Sequence, residues 1–205
     1  MPATPSSWDE KHAAAGEASA LDASPFVREL LPLLPSGPAL DLACGRGRNT
    51  LLLAERGQAV TAVDWSGTGL NLLERAAATK GLKFRKGTGG IRAAGRGEGI
   101  LAFHQDLEQA ALPDESFGVV FCMEYLDRKL MPEIERTLQP GGMLLFETYT
   151  TAQMAFEGGP RNPAYLLEPG ELRASFPELR IIFYRELSAG QGKASLLAQK
   201  PAKAR

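Results

Sequence analysis

Glycines and an acid sit near the end of one apolar segment of the chain, in a pattern that could bind a nucleotide. The segment ALDLACGRGRNT, residues 39–50, places Gly45 and Gly47 directly after an apolar run. Glycines at this spacing allow a tight turn and let a ligand approach the backbone closely. Asp41 precedes them as a fixed negative charge, which disfavours a diphosphate and suits a cation or a hydrogen-bond donor. We therefore expect a ligand that carries positive charge rather than phosphates.

Three further polar residues extend this candidate site. Asp64 ends the next apolar segment, 19 residues after Gly45, and an acid there can accept hydrogen bonds from both ribose hydroxyls. Asp106 follows the third apolar segment, where it can accept a hydrogen bond from the exocyclic amine of an adenine. Asn49 can cap the helix that begins beside it and offer its amide to a ligand. Together these features describe an adenosine with a cationic substituent and no phosphates, and S-adenosylmethionine fits that description.

Strands and helices that alternate along the chain must position these residues. Strands are predicted at 38–43, 59–65, 100–107, 117–124 and 143–148, helices at 25–34, 49–57, 66–81, 131–138 and 168–176, and a hairpin at 180–187 and 193–199. This order predicts an α/β fold of the Rossmann-like, doubly wound type. We expect a seven-stranded, mostly parallel sheet with a C-terminal antiparallel hairpin and helices on both faces. Ligands of such sheets bind at the carboxyl ends of the strands, near the switch point.

The predicted domain covers residues 25–199. Residues 1–24 are predicted to be a tail or lid, and residues 200–205 a second tail. Residues 83–99 contain six glycines and five cationic residues and show no hydrophobic period. We predict a flexible insertion there, which is either a lid, a basic contact for an anionic substrate or a solvated loop without a role.

Composition narrows the class of protein. The chain has 205 residues, a net charge of −1 and 44% hydrophobic residues, as in an ordinary cytoplasmic protein with no general attraction to nucleic acid or membranes. No apolar run reaches the length of a membrane span, and the N-terminus lacks the apolar core of a secretion signal. Cys44 and Cys122 lie in separate apolar segments, so we expect neither a disulfide nor a metal site.

Five motifs in order resemble those of class I S-adenosylmethionine-dependent methyltransferases. LDLACGRGRN is similar to the first motif, VTAVDWS to the acidic second, FHQDLEQ to the adenine-binding third, LPDESFGVVFCMEYL to the fourth and LQPGGMLLFE to the turn and strand after it. The resemblance covers residues 25–150. The N-terminal WDEKHA and the segment after residue 147 are most similar to a small bacterial branch that includes tellurite-resistance and other small-molecule methyltransferases.

The resemblance implies a role for each residue around the cofactor. Asp41 would contact the methionine amino group, and the backbone of Ala43, Cys44, Gly45 and Gly47 would wrap the methionine and ribose. Asp64 would bind the ribose hydroxyls, and Trp65, Asp106 and Leu107 would contact the adenine. Cys122, Met123 and Glu124 would line the floor near the sulfonium. After the fourth strand the chain reads CMEYLDR. This segment lacks the acceptor loops used for nucleobase amines and for protein arginine, so a small molecule is the expected acceptor.

Residues of the N-terminal segment and of the chain after the fourth and fifth predicted strands are candidates for the acceptor pocket. They are Trp8, His12, Tyr125, Arg128, Tyr149, Arg161, Asn162 and Tyr165. We assign catalytic roles to Tyr125, Arg161 and His12, although Tyr125 could instead anchor its loop and His12 could be a solvated surface residue. The predicted function is methyl transfer to a small molecule, with a thiol or a chalcogen oxyanion as candidates. The alternatives are a non-catalytic S-adenosylmethionine-binding scaffold and an NAD(P)-dependent oxidoreductase. Asp41 disfavours the oxidoreductase, and so does Thr50, which stands where the dinucleotide fingerprint G-x-G-x-x-G has its third glycine.

Overall fold

Eight strands and six helices are found in the computed structural model, which describes residues 4–15 and 22–203. The strands are β1 (Ala39–Leu42), β2 (Val60–Asp64), β3 (Phe84–Lys86), β4 (Ile100–His104), β5 (Phe117–Met123), β6 (Leu138–Tyr149), β7 (Arg180–Leu187) and β8 (Lys193–Gln199). The helices are α1 (Pro5–Ala15), α2 (Pro25–Leu30), α3 (Arg48–Glu55), α4 (Gly67–Thr79), α5 (Met131–Thr137) and α6 (Glu171–Ala174). Short 3₁₀ turns cover Leu31–Leu33, Thr151–Ala155 and Pro163–Tyr165.

All eight strands join one sheet in the order β3-β4-β2-β1-β5-β6-β8-β7. Strand β8 pairs antiparallel with both of its neighbours, and the other pairings are parallel. The predicted mostly parallel, doubly wound sheet with a C-terminal antiparallel hairpin is confirmed, with one strand more than the seven expected. From β1 the chain first builds outward through β2 to β4 and then returns to the other side of β1 with β5. The switch point of the sheet therefore lies between β1 and β5.

Two hydrophobic cores lie on opposite faces of the sheet. Alternate residues of a strand point to opposite faces, so Val119 and Phe121 of β5 join the core beneath α2, α3 and α4, whereas Val120 and Cys122 join the core beneath α5 and α6. Because both faces are covered, the central strands are apolar almost throughout. This is why the sequence pattern locates them well.

The additional strand, β3, falls inside the segment predicted as a flexible insertion, residues 83–99. Strand β3 pairs in parallel with β4 at the edge of the sheet. Its sequence, Phe84–Lys86, gave no strand signal because an edge strand needs only backbone pairing and buries little side-chain area. The rest of the segment has neither helix nor strand, but Ile91 and Ala94 are buried, and the backbone N–H of Ala94 donates to Thr61 Oγ1 at 2.9 Å. The flexibility of the segment stays a prediction.

Both predicted tails contain anchored residues. Helix α1 occupies part of residues 1–24 and packs against α4, while residues 1–3 and 16–21 lie outside the described residues. At the other end, the Lys200 ammonium donates to the carbonyl oxygens of Glu135 and Leu138, at 3.1 and 2.9 Å. Residues 204–205 again lie outside the described part. No helix among the described residues is long and apolar enough to cross a membrane.

Candidate cofactor and acceptor site

The predicted polar residues meet at the carboxyl ends of the parallel strands. In the sheet register, Leu42 of β1 lies beside Val63 of β2 and Cys122 of β5, and Asp64 lies beside His104 of β4. The turns that follow these strands therefore share one edge of the sheet. This edge contains the switch point, where open α/β sheets bind their ligands.

The glycines after β1 allow the backbone of the loop to pack closely against helix α4. Gly45 and Gly47 have φ angles of 55° and 77°, in the left-handed region that favours glycine. A Cβ at Gly47 would lie 2.3 Å from Cδ1 of Leu73. A Cβ at Gly69, in the first turn of α4, would lie 3.0 Å from the carbonyl oxygen of Gly45. A side chain at any of these glycines is therefore strained or meets a neighbouring group, and the loop needs glycine to take this path.

Asp64 connects this loop to the end of β2. Its Oδ2 accepts from the backbone N–H of Gly45 at 2.7 Å, and its Oδ1 accepts from the backbone N–H of Ser66 at 2.8 Å. The residue is 5% exposed, and burial raises the pKa of its carboxyl. Each carboxylate oxygen has a second lone pair, so the group can also accept hydrogen bonds from the two hydroxyls of a ribose.

Asp41 lies beneath the same loop and faces helix α3. It is 2% exposed, and its Oδ2 accepts from the Thr50 hydroxyl at 2.5 Å. Burial raises the pKa of Asp41 to about 6. In this arrangement Asp41 holds the first turn of α3 in place behind the glycines. Its predicted contact with the methionine amino group stays a prediction.

The other predicted residues of the first motif are placed as follows. Asn49 is buried, and its Oδ1 accepts from the backbone N–H of Ser24 at 3.0 Å. It therefore fastens the chain before α2 to α3, and the N-cap position of α3 is Gly47. Ala43 has a φ of 52°, which is uncommon for a residue with a side chain. Cys44 is buried, and burial raises the pKa of its thiol.

The residues assigned to the adenine follow β2 and β4. Trp65 is half-buried, and its carbonyl oxygen lies 2.8 Å from Nε2 of His104. Asp106 is also half-buried and accepts from the Glu108 backbone N–H at 3.0 Å. Leu107 is buried. The two turns thus lie side by side, as a shared adenine site requires.

Helix α1 covers the loop from the N-terminal side. Asp9 Oδ1 accepts from the Ser66 hydroxyl at 2.5 Å and from the backbone N–H of Thr68 at 3.0 Å, which anchors α1 to the start of α4. The ring of His12 approaches Gly45, since a Cβ built there would lie 3.3 Å from Cε1 of His12. Burial lowers the pKa of His12, so its imidazole is neutral at neutral pH. Of the acceptor candidates, His12 is thus the one placed next to the glycine loop.

The remaining floor and acceptor candidates come after β5 and β6. Cys122 and Met123 are buried in the two cores. Tyr125 is half-buried, and burial raises the pKa of its phenol, so it stays protonated at neutral pH. Arg161 is exposed and donates to the carbonyl oxygens of Met154 and Phe156, which closes its own loop.

Arg128 stabilises the chain after β6. Its guanidinium makes a bidentate ion pair with Glu171, at 2.5 and 2.9 Å. It also donates to the carbonyl oxygens of Ala164 and Leu166, at 3.1 and 2.9 Å. The Asn162 side chain caps the following 3₁₀ turn through the backbone N–H of Ala164. These contacts use the polar groups of Arg128 inside the fold, so it is not placed to bind an acceptor.

The sequence prediction names Glu124 and Tyr149 but misses the charged cluster that they join beside the switch point. Glu124 Oε1 lies 2.7 Å from Nζ of Lys193 and 3.4 Å from the Arg48 guanidinium. Lys193 also lies 3.9 Å from Glu147 Oε1 and stacks on the Tyr149 ring at 4.8 Å. Lys193 is 69 residues from Glu124 in the chain, and no local pattern connects them. Only the antiparallel pairing of β6 with β8 reveals the contact. Among the described residues, no group of His, Cys, Asp and Glu side chains could hold a metal ion.

This geometry defines a class of protein: a doubly wound α/β domain with a glycine loop and buried acidic side chains at its switch point. The model of a methyltransferase domain family matches residues 40–146, and the chain belongs to that family. It is a class I methyltransferase domain whose cofactor is S-adenosylmethionine.

Individual methyltransferases are similar to this chain in sequence or in fold. The putative methyltransferase YqeM of Bacillus subtilis is 29% identical over 128 residues, which are 58% of this chain and 45% of YqeM. The chain thus matches less than half the length of that relative. The fold is similar to that of TehB from Haemophilus influenzae, with a TM-score of 0.70 and 17% identity over 94% of this chain and 67% of TehB. It is also similar to an S-adenosylmethionine-dependent methyltransferase from Mesorhizobium loti, with a TM-score of 0.64 and 18% identity over 88% of this chain and all of the other.

Proposed function

We propose that the protein transfers the methyl group of S-adenosylmethionine to a small molecule whose nucleophile is already anionic at neutral pH, such as a thiolate or a chalcogen oxyanion. The cofactor supplies a methyl carbon activated by a positively charged sulfur. The acceptor's lone pair forms the new bond to that carbon, and the electrons of the broken carbon–sulfur bond stay on sulfur. The protein's task is to align the acceptor and exclude water.

The observation that carries this proposal is the protonation state of Glu124 and Tyr125, the two ionisable residues that directly follow β5. Burial alone raises the pKa of Glu124, but the hydrogen bond and charge of Lys193 outweigh it and hold the net pKa below its ordinary value. Glu124 is therefore a weak base. Tyr125 stays protonated, so it cannot accept a proton either. A site with these groups suits an acceptor that needs no proton removed during the reaction.

The cofactor half of the proposal is supported by Asp64 and the glycine loop. Asp64 would accept from the ribose hydroxyls while it keeps its contacts to the loop. Trp65 and Asp106 would bind the adenine, and α1, with His12, would cover the site and exclude water.

A measurement of cofactor binding followed by turnover tests the proposal. Calorimetry should show binding of S-adenosylmethionine and S-adenosylhomocysteine and much weaker binding of NAD(P). Release of S-adenosylhomocysteine is then measured with thiols, chalcogen oxyanions, small amines and carboxylates. We expect turnover with the first two groups and a rate that rises with the thiolate fraction. Binding of the cofactor without turnover on any acceptor would support the alternative of a non-catalytic binding protein.

A further inference from the structure

We propose that Lys193 and Arg48 form an anion-binding subsite for the methyl acceptor, so that the acceptor carries a carboxylate or similar oxyanion group in addition to its nucleophile. This inference rests on the proposed function. It names the charge of the acceptor and two residues that select it, neither of which has been assigned a contact with the cofactor.

The first argument is the position of the two cations. Arg48 begins α3 and follows Gly47 of the cofactor loop directly, whereas Lys193 begins β8. Their charged groups converge on one atom, Oε1 of Glu124, at 3.4 and 2.7 Å. Glu124 follows β5 at the switch point. The pair of cations therefore lies between the cofactor loop and the strands on the far side of the site, where an acceptor would have to enter.

The second argument is that Glu124 is bound as an acceptor carboxylate would be. An oxygen held between an ammonium and a guanidinium is a common geometry for carboxylate recognition. The Glu124 side chain is 36% exposed, whereas the Lys193 side chain is 10% exposed. The carboxylate is thus at the open end of the cluster, and an incoming anion can replace it while the lysine stays in place.

The third argument is the unusual backbone of Glu124. Its φ is 59°, a region that residues with side chains rarely adopt and that is found preferentially at functional sites. The backbone N–H of Glu124 donates to the carbonyl oxygen of Glu147 at 2.7 Å, which holds this conformation. The fold thereby turns the side chain of Glu124 toward the two cations.

The fourth argument is the charge balance. Glu147 already accepts from the Ser195 hydroxyl at 2.6 Å and lies 3.7 Å from Arg185. Lys193 and Arg48 thus share the carboxylate of Glu124, while Glu147 is engaged by Ser195 and Arg185. The charge of Arg48 also acts on the buried Asp41. Burial disfavours the charged form of Lys193, but Glu124 outweighs this effect and raises the net pKa, so the ammonium stays charged.

Stability alone does not account for such a cluster. Burying the Lys193 ammonium costs desolvation energy that its attraction to the partly exposed Glu124 only roughly repays, and well-packed apolar residues often do as well. A pair that adds little stability and lies beside a binding site is expected to have a binding role. This is the basis for assigning the cluster to the acceptor.

The experiment uses the protein saturated with S-adenosylhomocysteine and two thiols that differ only in charge, 3-mercaptopropionate and 3-mercaptopropionamide. Binding is measured by calorimetry, and methyl transfer is measured separately with S-adenosylmethionine. We expect the carboxylate to bind roughly tenfold more tightly than the amide. Lys193→Met and Arg48→Met should each remove most of this preference. Lys80→Met, which removes an exposed lysine at the C-terminal end of α4, should not change it.

Glu124→Gln separates a binding role from a structural one and does not depend on how well Lys193→Met folds. If Glu124 occupies the anion subsite, this variant should bind 3-mercaptopropionate several-fold more tightly than the wild type and leave the amide unaffected. If the ion pair were only structural, Glu124→Gln would lower the unfolding temperature without any gain in affinity for the anion.

The outcomes for the two proposals are distinct. The anion subsite would be overturned if the protein bound 3-mercaptopropionate and 3-mercaptopropionamide equally well. It would also be overturned if neither the wild type nor Glu124→Gln bound 3-mercaptopropionate, even if other thiols are methylated. Failure of S-adenosylhomocysteine to bind would overturn the cofactor half of the proposed function. A preference for the carboxylate without methyl transfer would support the subsite and count against methylation of thiols.

Discussion

The backbone N–H of Gly45 donates to Oδ2 of Asp64 at 2.7 Å. This hydrogen bond joins the turn after β1 to the end of β2, so the glycine loop and the acid assigned to the ribose form one unit. The loop therefore depends on the acid for its position, and the acid depends on the loop for part of the hydrogen bonding that makes its burial possible. A change at Asp64 acts on both.

Asp64→Asn should weaken the binding of S-adenosylmethionine and S-adenosylhomocysteine by the same factor, at least about tenfold. Asparagine keeps the shape of the side chain but loses one acceptor and the charge. Its amide N–H₂ would also face a backbone N–H of Gly45 or Ser66. Calorimetric titration of each ligand measures the effect, with circular dichroism to confirm that the variant is folded.

The comparison of the two ligands identifies what Asp64 contacts. Both contain the same ribose, but only S-adenosylmethionine carries the positive sulfur. A loss confined to S-adenosylmethionine would mean that Asp64 acts on the positive charge and not on the ribose. Glu55→Gln, which changes an exposed carboxylate on α3, serves as the matched control and should leave both affinities unchanged.

Asp41 should make the protein less stable as the pH rises through about 6. Burial raises the pKa of this carboxyl in the folded state from its ordinary value of 3.8 to about 6. The folded state therefore holds the proton more tightly than the unfolded state. The resulting stabilisation is fully present below pH 3.8 and is lost as the pH rises through about 6. Such a change in pKa corresponds to roughly 3 kcal/mol at most.

Urea unfolding of the wild type and Asp41→Asn at several pH values between 4 and 8 measures this contribution. Asparagine resembles the protonated acid and can still accept from the Thr50 hydroxyl. The unfolding free energy of Asp41→Asn should therefore increase relative to that of the wild type as the pH rises. A pH-independent difference would contradict a raised pKa. Asp22→Asn, at an exposed position, gives the baseline.

The architecture and the cofactor motifs could be predicted because they are local. The strands of this sheet are buried on both faces, so β1, β2, β4 and β5 appear in the sequence as short apolar runs between helices. Asp41, Gly45 and Asp64 could be found because ligand-binding turns follow directly after such strands. Strand β3 could not be predicted, since an edge strand needs no apolar pattern.

The acceptor side of the site could not be predicted because its contacts are non-local. Lys193 reaches Glu124 through the pairing of β6 with β8, and Arg128 reaches Glu171 across 43 residues of sequence. Arg128 could only be named as an acceptor candidate, because its partner Glu171 on α6 becomes visible only in the folded chain. The role of Asp9 in anchoring α1 could not be predicted, because its partners Ser66 and Thr68 come close to it only when α1 packs on α4.

Asp9→Ala should release helix α1 from the body of the domain. Asp9 accepts from the Ser66 hydroxyl and from the Thr68 backbone N–H at the start of α4, where a negative charge is favourable. Hydrogen exchange of residues 5–15 should become several-fold faster, with little change in the global unfolding temperature. S-adenosylmethionine should also dissociate faster, since α1 covers the glycine loop.

Glu10→Ala is the matched control for this variant. Glu10 is the next residue on the same helix and is exposed, so its replacement has a similar effect on helix propensity without touching α4. Equal exchange rates in the two variants would mean that the Asp9 contacts do not hold α1 in place. Faster exchange with an unchanged dissociation rate would mean that α1 does not cover the cofactor.

Arg128→Lys should loosen the chain between β6 and α6 without affecting cofactor binding. The guanidinium donates to both oxygens of Glu171 and to the carbonyl oxygens of Ala164 and Leu166, and a lysine ammonium cannot reproduce this planar set of donors. Because Arg128 is partly exposed, solvent screens the ion pair, and the expected loss of stability is about 1 kcal/mol.

Thermal unfolding and hydrogen exchange of residues 162–171 measure the effect of Arg128→Lys, and calorimetry measures the affinity for S-adenosylmethionine. We expect faster exchange in that segment alone and an unchanged dissociation constant. Lys129→Gln, at the exposed neighbouring position, should change neither. A large loss of cofactor affinity in Arg128→Lys would show that the segment after β6 contributes to the cofactor site, and the acceptor side and the cofactor side would then be energetically coupled.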